Sequence, residues 1–477
     1  MIRRHSRMAW RTLIVVLAYS PLLGQLSGTI AAAQAVQDTT TSFLYDANGN
    51  VTEVSDALGH TTRFSYDALS RRSSATDVKA GVTDYSYDGL GQLTQVTDAR
   101  RIVTTYVIDG LGNATALTSA DTGATINTYD VAGNLLSRTD AKSQCTTYQY
   151  DALNRIVLIT HADATTVSYQ YDLGDNAIGK LSLVTDASGT IQYAYNQMGR
   201  VTAETRMIGG VAYTTSYRYD RTSRLSGMSY PGGRTIEYGR DGLGRIIQIT
   251  ASIRGVATPL LTQVSYQPFG PVQSLTFGNG RTQARTYDLD GRIASFGLSA
   301  QTMAISYDAA SRITAIGDAA NLPSAQIYGY DELDRLTNVV TPALAQTFAY
   351  DAVGNRTQKV LNGSASNNTY AGLSNRLTQA GTQPMTHDAN GSITNKGNAT
   401  FNYDARGRMV SANTAIGLVT YTINSLGQRV RKVTPTDTTV FHYDLAGKLI
   451  AETTTTGATS KTQEYVFLGD MPVAVLK

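Results

Sequence analysis

Residues 45–51 read Y-D-A-N-G-N-V, and the same pattern returns at a fixed interval along the chain. The next copies are Y-D-A-L-S-R-R from residue 66, Y-D-G-L-G-Q-L from 87, I-D-G-L-G-N-A from 108, Y-D-V-A-G-N-L from 129 and Y-D-A-L-N-R-I from 150. Their aspartates are 21 residues apart, at Asp46, Asp67, Asp88, Asp109, Asp130 and Asp151. A fixed period of this size is typical of a repeat architecture.

The series continues almost to the end of the chain. Further copies centre on Asp172, Asn196, Asp220, Asp241, Asp288, Asp308, Asp331, Asp351, Asp388, Asp404, Asn424 and Asp444, with degenerate copies at Tyr266, Tyr370 and Tyr465. The repeats therefore fill residues 43–477. The residues that define the motif are Tyr45, Asp46, Gly49, Tyr66, Asp67, Tyr87, Asp88, Gly91, Tyr129, Asp130, Gly133, Tyr150, Asp151, Tyr219, Asp220, Tyr287, Asp288, Tyr307, Asp308, Tyr330, Asp331, Tyr350, Asp351, Gly354, Tyr403, Asp404, Gly407, Tyr443, Asp444 and Gly447.

Each unit predicts two short strands and two turns. Asp-x-x-Gly is turn chemistry, because Asp bonds its own downstream backbone and Gly supplies a positive φ. A second turn follows about ten residues later, as at Asp56 and Asp77. The residues between turns are rich in Thr, Val, Ile and Tyr, and their length and alternation are typical of strands. We expect an all-β fold, a long antiparallel ribbon of hairpin repeats that curls into a spiral or partial shell.

Two stretches depart from the period. Residues 255–280 contain three prolines, which cannot donate to a sheet ladder, so we expect a hinge there. Residues 362–397 are rich in Asn, Gly and Ser and indicate a loop-rich stretch.

The first 35 residues have the order of a secretory signal peptide. Four arginines precede an apolar run, and the small residues at 31–35 follow it. We expect cleavage after Ala33 or Ala35, with 36–42 as a short linker. An uncleaved membrane anchor is the alternative, although Pro21 and Gly24 interrupt the apolar run. The mature chain has no apolar run long enough to span a membrane as a helix.

Composition excludes several classes of protein. The chain has 43 Gly and 29 Tyr, and only 16% of its residues are charged. One cysteine excludes a disulfide scaffold or a multi-cysteine zinc protein. Without residues 1–35, 36 Lys and Arg stand against 37 Asp and Glu, so the formal charge of +3 falls to about −1. That balance argues against nucleic acid as a partner.

The unit Y-D-x-x-G-[NR]-[LIV] resembles the YD repeat of the rearrangement-hotspot (Rhs) proteins. That family includes polymorphic toxins and shell components of insecticidal toxin complexes, and teneurins carry related repeats. The resemblance covers residues 43–477 and implies a strand ribbon that spirals into a hollow shell, which in toxin members encloses a variable C-terminal toxic domain. Some members are described as associated with the cell wall or with carbohydrate.

The family blocks that follow such repeats do not appear before Lys477. Residues 465–475 resemble the segment that leads into an H-x-D-x-L-G-x-P block, a D-P-x-G self-cleavage motif and the toxin. The resemblance therefore implies neither toxin activity nor autoproteolysis for this chain. The chain looks like a family member that lacks the C-terminal end of the core and the toxin domain.

The size of the ribbon sets an expectation for its curvature. About 40 strands at about 4.8 Å give a ribbon about 190 Å long, which wound once makes a ring of about 30 Å radius. We therefore expect a curved sheet or partial barrel with an exposed edge.

Catalytic and metal signatures are weak, and we assign no catalytic, cofactor or metal residue. Asp121-Thr122-Gly123 matches the core of an aspartic-protease motif, but it lies where other units place their second turn. The histidines His60, His161, His387 and His442 are scattered along the chain. We expect Cys145 to be a buried apolar thiol. The spacing of the aspartates fits neither calcium-binding repeat nor EF-hand.

The sequence thus predicts an exported, non-enzymatic YD-repeat protein, periplasmic, extracellular or at the bacterial cell surface. It would act as a structural or interaction scaffold or as a partial shell. A truncated or split toxin shell and a carbohydrate-binding surface protein are the alternatives. The partners implied are another Rhs-type chain, a toxin or effector polypeptide, or cell-wall or surface carbohydrate stacked on tyrosine rings.

Overall fold

The computed structural model describes residues 39–253, 255–268, 270–319 and 321–477. The predicted signal peptide, 1–35, lies outside them. The described residues contain no helix that could cross a membrane. They form 42 strands: β1 Ser42–Tyr45, β2 Val51–Ser55, β3 Thr61–Tyr66, β4 Arg72–Thr76, β5 Val82–Tyr87, β6 Leu93–Thr97, β7 Val103–Ile108, β8 Ala114–Ser119, β9 Gly123–Tyr129, β10 Leu135–Thr139, β11 Cys145–Tyr150, β12 Ile156–Thr160, β13 Thr166–Tyr171, β14 Leu181–Asp186, β15 Gly189–Tyr195, β16 Val201–Ile208, β17 Val211–Tyr219, β18 Leu225–Ser229, β19 Thr235–Arg240, β20 Ile246–Ile253, β21 Val256–Tyr266, β22 Val272–Phe277, β23 Thr282–Tyr287, β24 Ile293–Leu298, β25 Gln301–Tyr307, β26 Ile313–Asp318, β27 Asn321–Tyr330, β28 Leu336–Thr341, β29 Leu344–Tyr350, β30 Arg356–Leu361, β31 Ser364–Tyr370, β32 Leu377–Ala380, β33 Gln383–His387, β34 Ile393–Lys396, β35 Ala399–Tyr403, β36 Met409–Thr414, β37 Gly417–Ile423, β38 Arg429–Val433, β39 Asp437–Tyr443, β40 Leu449–Thr456, β41 Thr459–Leu468 and β42 Met471–Leu476.

Each strand pairs antiparallel with the next, so the expected all-β ribbon is confirmed. The turns after the repeat tyrosines all lie along one edge of the ribbon, which we call the YD edge. The second turns, such as the one that joins β2 to β3, lie along the other edge, which we call the far edge. Most strand pairs that meet at the YD edge have a register shift next to the tyrosine, for example between Ser65 and Tyr66.

The repeat aspartate builds the YD turn with its carboxylate. In a typical unit, Oδ1 of Asp130 accepts hydrogen bonds from the backbone N–H groups of Ala132 and Asn134, and Oδ2 accepts one from the Asn134 side chain. These bonds lower the pKa of Asp130. Gly133 has a φ of 82°, which glycine adopts at little cost. Asp and Gly therefore recur because one turn needs both.

The repeat tyrosine ties each unit to the one before it. The hydroxyl of Tyr350 donates to the backbone carbonyl of Leu336 at 2.8 Å, and Leu336 opens the strand that follows the previous YD turn. The same bond, to the first residue of the equivalent strand, is made by Tyr66, Tyr87, Tyr129, Tyr150, Tyr171, Tyr195, Tyr219, Tyr266, Tyr287, Tyr307, Tyr330, Tyr370, Tyr403 and Tyr443. We call this bond the tyrosine clasp.

Where the turn ends in arginine, a second link is added. Arg335 donates to the carboxylate of Asp331 in its own turn, and to the carbonyl of Asp351 in the next turn at 2.7 Å. Its guanidinium carbon lies 5.0 Å from the centre of the Tyr350 ring, which is the geometry of a cation–π contact. Neighbouring turns are thus held at one spacing along the YD edge.

The ribbon winds into a coil of 23 strands. The turn between β4 and β5 contacts the turn between β27 and β28, through Lys79 and Glu332. The same offset joins the β10–β11 turn to the β33–β34 turn, through Asp140 and Asn390. Successive turns lie alternately on the two edges of the ribbon, so an offset of 23 strands places a far-edge turn over a YD turn. The far edge of the first coil, β1–β23, therefore rests on the YD edge of the second coil, β24–β42.

The winding is tighter than the single ring expected from the length of the ribbon. Twenty-three strands at about 4.8 Å give a circumference of about 110 Å and a radius of about 18 Å. The chain therefore makes almost two stacked coils rather than one open ring. The strong twist that the register shifts add at each unit accounts for the smaller radius.

The two irregular stretches both form strands. Residues 362–397, expected to be loop-rich, contain β31–β34, because short turns take the Asn and Gly residues. Residues 255–280 contain β22 and the 11-residue β21. Pro259 of β21 pairs with Thr250 beside a register shift, where a missing N–H is tolerated.

The best-buried core lies where β17–β22 meet β40–β42. Ile236, Ile249 and Leu261 of the first coil are fully buried there, together with Val466 of the second coil. The Tyr230 hydroxyl donates to the carbonyl of Tyr465 at 2.8 Å across the same contact. Burial of apolar surface thus joins the two coils at this end.

We predict that Tyr350→Phe lowers the free energy of unfolding by about 1 kcal/mol, because it removes one intramolecular hydrogen bond and little else. Denaturant unfolding measures this change. Tyr106→Phe is the matched control, since no hydrogen bond of the Tyr106 hydroxyl is found in the described part of the chain. Equal stability of the two variants would contradict the clasp.

Candidate functional site: the seam between the coils

The line along which the far edge of the first coil meets the YD edge of the second coil, which we call the seam, carries paired charges. Lys79 Nζ lies 2.7 Å from a carboxylate oxygen of Glu332. Lys142 lies 3.5 Å from the carboxylate of Asp388. Further along, the Asp186 carboxylate accepts a hydrogen bond from the backbone N–H of Ser425. The seam is therefore a polar interface built from turns.

Arg100 makes the most extensive set of contacts at the seam. Its guanidinium donates to the carbonyls of Ser374 and Ala371, both at 3.0 Å, and to the side-chain oxygen of Asn375 at 2.8 Å. It also lies 3.5 Å from the carboxylate of Asp351. A single side chain from the first coil thus binds two adjacent turns of the second.

Asp121, of the protease-like Asp-Thr-Gly triplet, is a seam residue. Its carboxylate accepts bonds from the backbone N–H of Asn375 at 2.5 Å and from the Asn375 side chain at 3.2 Å. Its own carbonyl accepts a bond from Arg376 at 2.9 Å. The triplet therefore forms a turn that docks on the second coil.

The scattered histidines occupy different environments. His387 is half-buried at a repeat-tyrosine position, and burial lowers its pKa. His161 lines a cavity of about 210 Å³ on the seam with Asp404 and Arg406, and its Nε2 is buried without a hydrogen-bond partner in the described residues. His442 is buried 4.5 Å from the Tyr213 ring, centre to centre, and burial lowers its pKa to about 4.

Cys145 is exposed at the start of β11, so the expectation of a buried thiol is wrong. It follows a turn directly, on the side of the strand that faces solvent. No disulfide partner is available to it, since the chain has one cysteine.

Asp56, His60 and Asp334 form a cluster in which one potential metal-ligand atom from each lies within 4.8 Å of the others. Each acid already has a partner. Nδ1 of His60 lies 3.1 Å from the Asp56 carboxylate, and Arg312 donates to Asp334 at 2.7 Å. The cluster is thus satisfied as an ion-pair network that joins the first repeat to the second coil.

An aromatic cavity of about 310 Å³ opens at the seam beside the core. The rings of Tyr217, Tyr219, Tyr238 and Phe467 line it, with the charged side chains of Arg240, Asp444 and Lys448. Its volume is at the low end of the range for ligand pockets.

Two polar atoms in this cavity are buried and have no hydrogen-bond partner in the part of the chain that the structure describes. The Tyr217 hydroxyl faces the backbone of Leu445 without a well-aligned bond, and burial raises its pKa. Burial also raises the pKa of Tyr238 to about 12. Arg240 stands where other units have the clasp tyrosine and donates to the carbonyl of Leu225, which leaves its Nε unpaired. The tyrosines of the clasp are bonded to backbone, whereas this cavity retains free donors.

Family models match parts of the repeat array. The model described as RHS Repeat matches residues 45–83 and 129–166, and the Teneurin YD-shell model matches residues 299–422. No curated protein matches the chain.

Solved toxin shells share the fold. The Tc holotoxin pore of Photorhabdus luminescens, with the TccC3-D651A mutation, superposes with a TM-score of 0.75 at 16% identity, over 90% of this chain and 27% of that one. The crystal structure of TcdB2-TccC3 gives a TM-score of 0.76 at 17% identity, over 90% and 28%. This chain thus spans less than a third of the length of these solved chains.

A wound antiparallel ribbon closed by a seam of turns defines a β-repeat protein with the fold of a structural shell. The clasp tyrosine and the turn aspartate recur along that ribbon, parts of which match the RHS Repeat and Teneurin YD-shell models. The chain is an Rhs/YD-repeat protein.

We predict that acid weakens the fold through His442. Because its pKa is about 4 in the folded state and about 6.5 in the unfolded state, its contribution is complete above pH 6.5 and is lost as the pH falls through 4. The difference corresponds to about 3 kcal/mol. His442→Phe should remove this part of the pH dependence in denaturant unfolding between pH 7 and 4. Parallel stability curves for the variant and the parent would contradict the assignment.

Proposed function

We propose that this protein is an exported, non-enzymatic scaffold that acts as a partial shell at the bacterial cell surface. The observation that carries the proposal is the seam, because a ribbon locked edge to edge becomes a curved wall rather than a flexible sheet. The likeness to Tc toxin shells supports the same role. The Asp121 triplet and the Arg100 site both serve the seam, which favours structure over catalysis.

The partner of such a wall is a polypeptide, either a second YD-repeat chain or an effector. The matched structures are named for complexes with TccC3, which makes a toxin-like polypeptide the first class to test. Export follows from the order of charges and apolar residues in 1–35.

We predict that the protein appears in envelope or secreted fractions in a form that starts near residue 34 or 36. Mass spectrometry of the N-terminal peptide in each cell fraction measures this. A variant without residues 2–33 is the control and should stay in the cytoplasm. Recovery of the unprocessed chain in the cytoplasm alone would contradict export.

The aromatic cavity favours a second function, the binding of a small saccharide. Tyrosine rings offer apolar platforms for the faces of sugar rings, and the free Tyr217 hydroxyl and Arg240 Nε supply donors for sugar hydroxyls. The cavity lies on the seam, so a bound sugar would contact both coils.

We predict that Tyr217→Phe weakens saccharide binding about fivefold to tenfold without loss of stability, because its hydroxyl is unpaired in the free protein. A glycan array identifies the sugar and calorimetry measures the affinity. Tyr350→Phe, far from the cavity along the chain, should bind as the parent does. An array without signal, or equal affinity of the Tyr217 variant, would reject this function.

A further inference from the structure

The YD edge of the first coil carries a row of exposed aliphatic side chains. They stand at the tips of YD turns, and neighbouring turns lie about 10 Å apart because two strands separate them. The turns are consecutive from Leu69 to Met198, whereas the turns at Asp220 and Gln267 interrupt the row before Leu243 and Leu289. Each is more than half exposed. The row, which we call the aliphatic row, consists of Leu69, Leu90, Leu111, Val131, Leu153, Leu173, Met198, Leu243 and Leu289.

The same edge in the second coil is already a docking surface. There the turn backbones and polar tips rest on the first coil, and Leu333 and Val353 are only partly exposed, whereas Leu373 is 87% exposed. Polar tip residues there contact charged far-edge turns of the first coil, as Glu332 contacts Lys79 and Asn390 contacts Asp140. The YD edge is thus built to receive a far edge, and in the first coil it receives none from the described residues.

The far edge of the second coil differs in chemistry from that of the first. In the first coil this edge carries Lys79 and Arg100, which form ion pairs across the seam, and Asp140 and Asp186, which accept hydrogen bonds across it. In the second coil most far-edge turns are small and uncharged, among them T-P-A-L at 341–344, A-G-T-Q at 380–383, T-A-I-G at 414–417 and T-G-A-T at 456–459. Asp318, Lys396 and Asp437 are the charged residues of the other turns on this edge. Ile416 is 70% exposed on this edge.

We propose that a second copy of this chain docks with the far edge of its second coil on the aliphatic row. The contact continues the seam from one molecule to the next. Aliphatic tips meet small, mostly uncharged turns, so apolar surface is buried with little charge to desolvate. The charged far edge of the first coil does not compete, because its own second coil covers it.

The two surfaces are different, so the contact is head-to-tail and leaves a free edge at each end of a pair. Copies therefore add along the coil axis and lengthen the wall. The inference deepens the proposed shell role by naming the partner as another copy. A chain that stays monomeric would refute the stacking and leave the export test above unaffected.

Sedimentation velocity of the purified chain tests this over a wide range of concentration. The parent should form dimers and longer species. A row variant, Leu90→Lys with Leu111→Lys and Leu153→Lys, should be monomeric, and so should a far-edge variant, Ala343→Lys with Ile416→Lys. Val107→Lys, at an exposed position on the face of the sheet, is the control and should assemble as the parent does.

A mixture of the row variant and the far-edge variant tests whether the two surfaces bind each other. Each retains the surface that the other lacks, so an equal mixture should form dimers and nothing larger. Circular dichroism confirms that each variant is folded. A monomeric parent, variants that assemble normally, a control that fails to assemble, or a mixture that stays monomeric would each overturn the proposal.

Discussion

The hydrogen bond from each repeat tyrosine to the backbone of the preceding unit is the contact on which the rest of the structure depends. Among the described residues fifteen tyrosines make it, always to the first residue of the strand after the previous YD turn. The clasp fixes the spacing between neighbouring turns, and arginines such as Arg335 reinforce it by bonding the next turn. One bond contributes about 1 kcal/mol. The bond matters because it is repeated in successive units. The same spacing between neighbouring turns in each unit gives the ribbon the same curvature along its length.

Constant curvature is what lets distant parts of the chain meet. With 23 strands in a coil, the far edge always arrives over the YD edge, and the seam can be built from turn residues alone. Arg100 and Asp121, which belong to far-edge turns of the first coil, both bind Asn375 in a YD turn of the second coil. The wall therefore needs no separate docking domain.

The repeat could be predicted from the sequence because strand and turn are local properties. Tyr, Asp and Gly at fixed positions define the turn, and the ribbon follows. The coil could not be predicted in the same way, because its radius sums small twists and register shifts over many units. The roles of Arg100 and Asp121 depend on which turns lie 23 strands apart. A local sequence pattern does not determine which turns these are. The aromatic cavity is not predictable from the sequence for the same reason, although Arg240 stands at a position where most units have tyrosine. The Asn and Gly residues of 362–397 indicate a loop by composition, whereas in the structure they occupy tight turns between strands.

The winding of the ribbon is tested most directly by zero-length carbodiimide coupling of lysine to carboxylate, followed by peptide mass spectrometry. Lys79 to Glu332 and Lys142 to Asp388 are contacts between coils, whereas Lys448 to Asp470 joins neighbouring units and forms in any ribbon. The structure predicts all three links within one molecule, with isotope-mixed samples excluding links between molecules. Recovery of the Lys448 link alone would contradict the coil, since a flat ribbon separates the other pairs by about 110 Å.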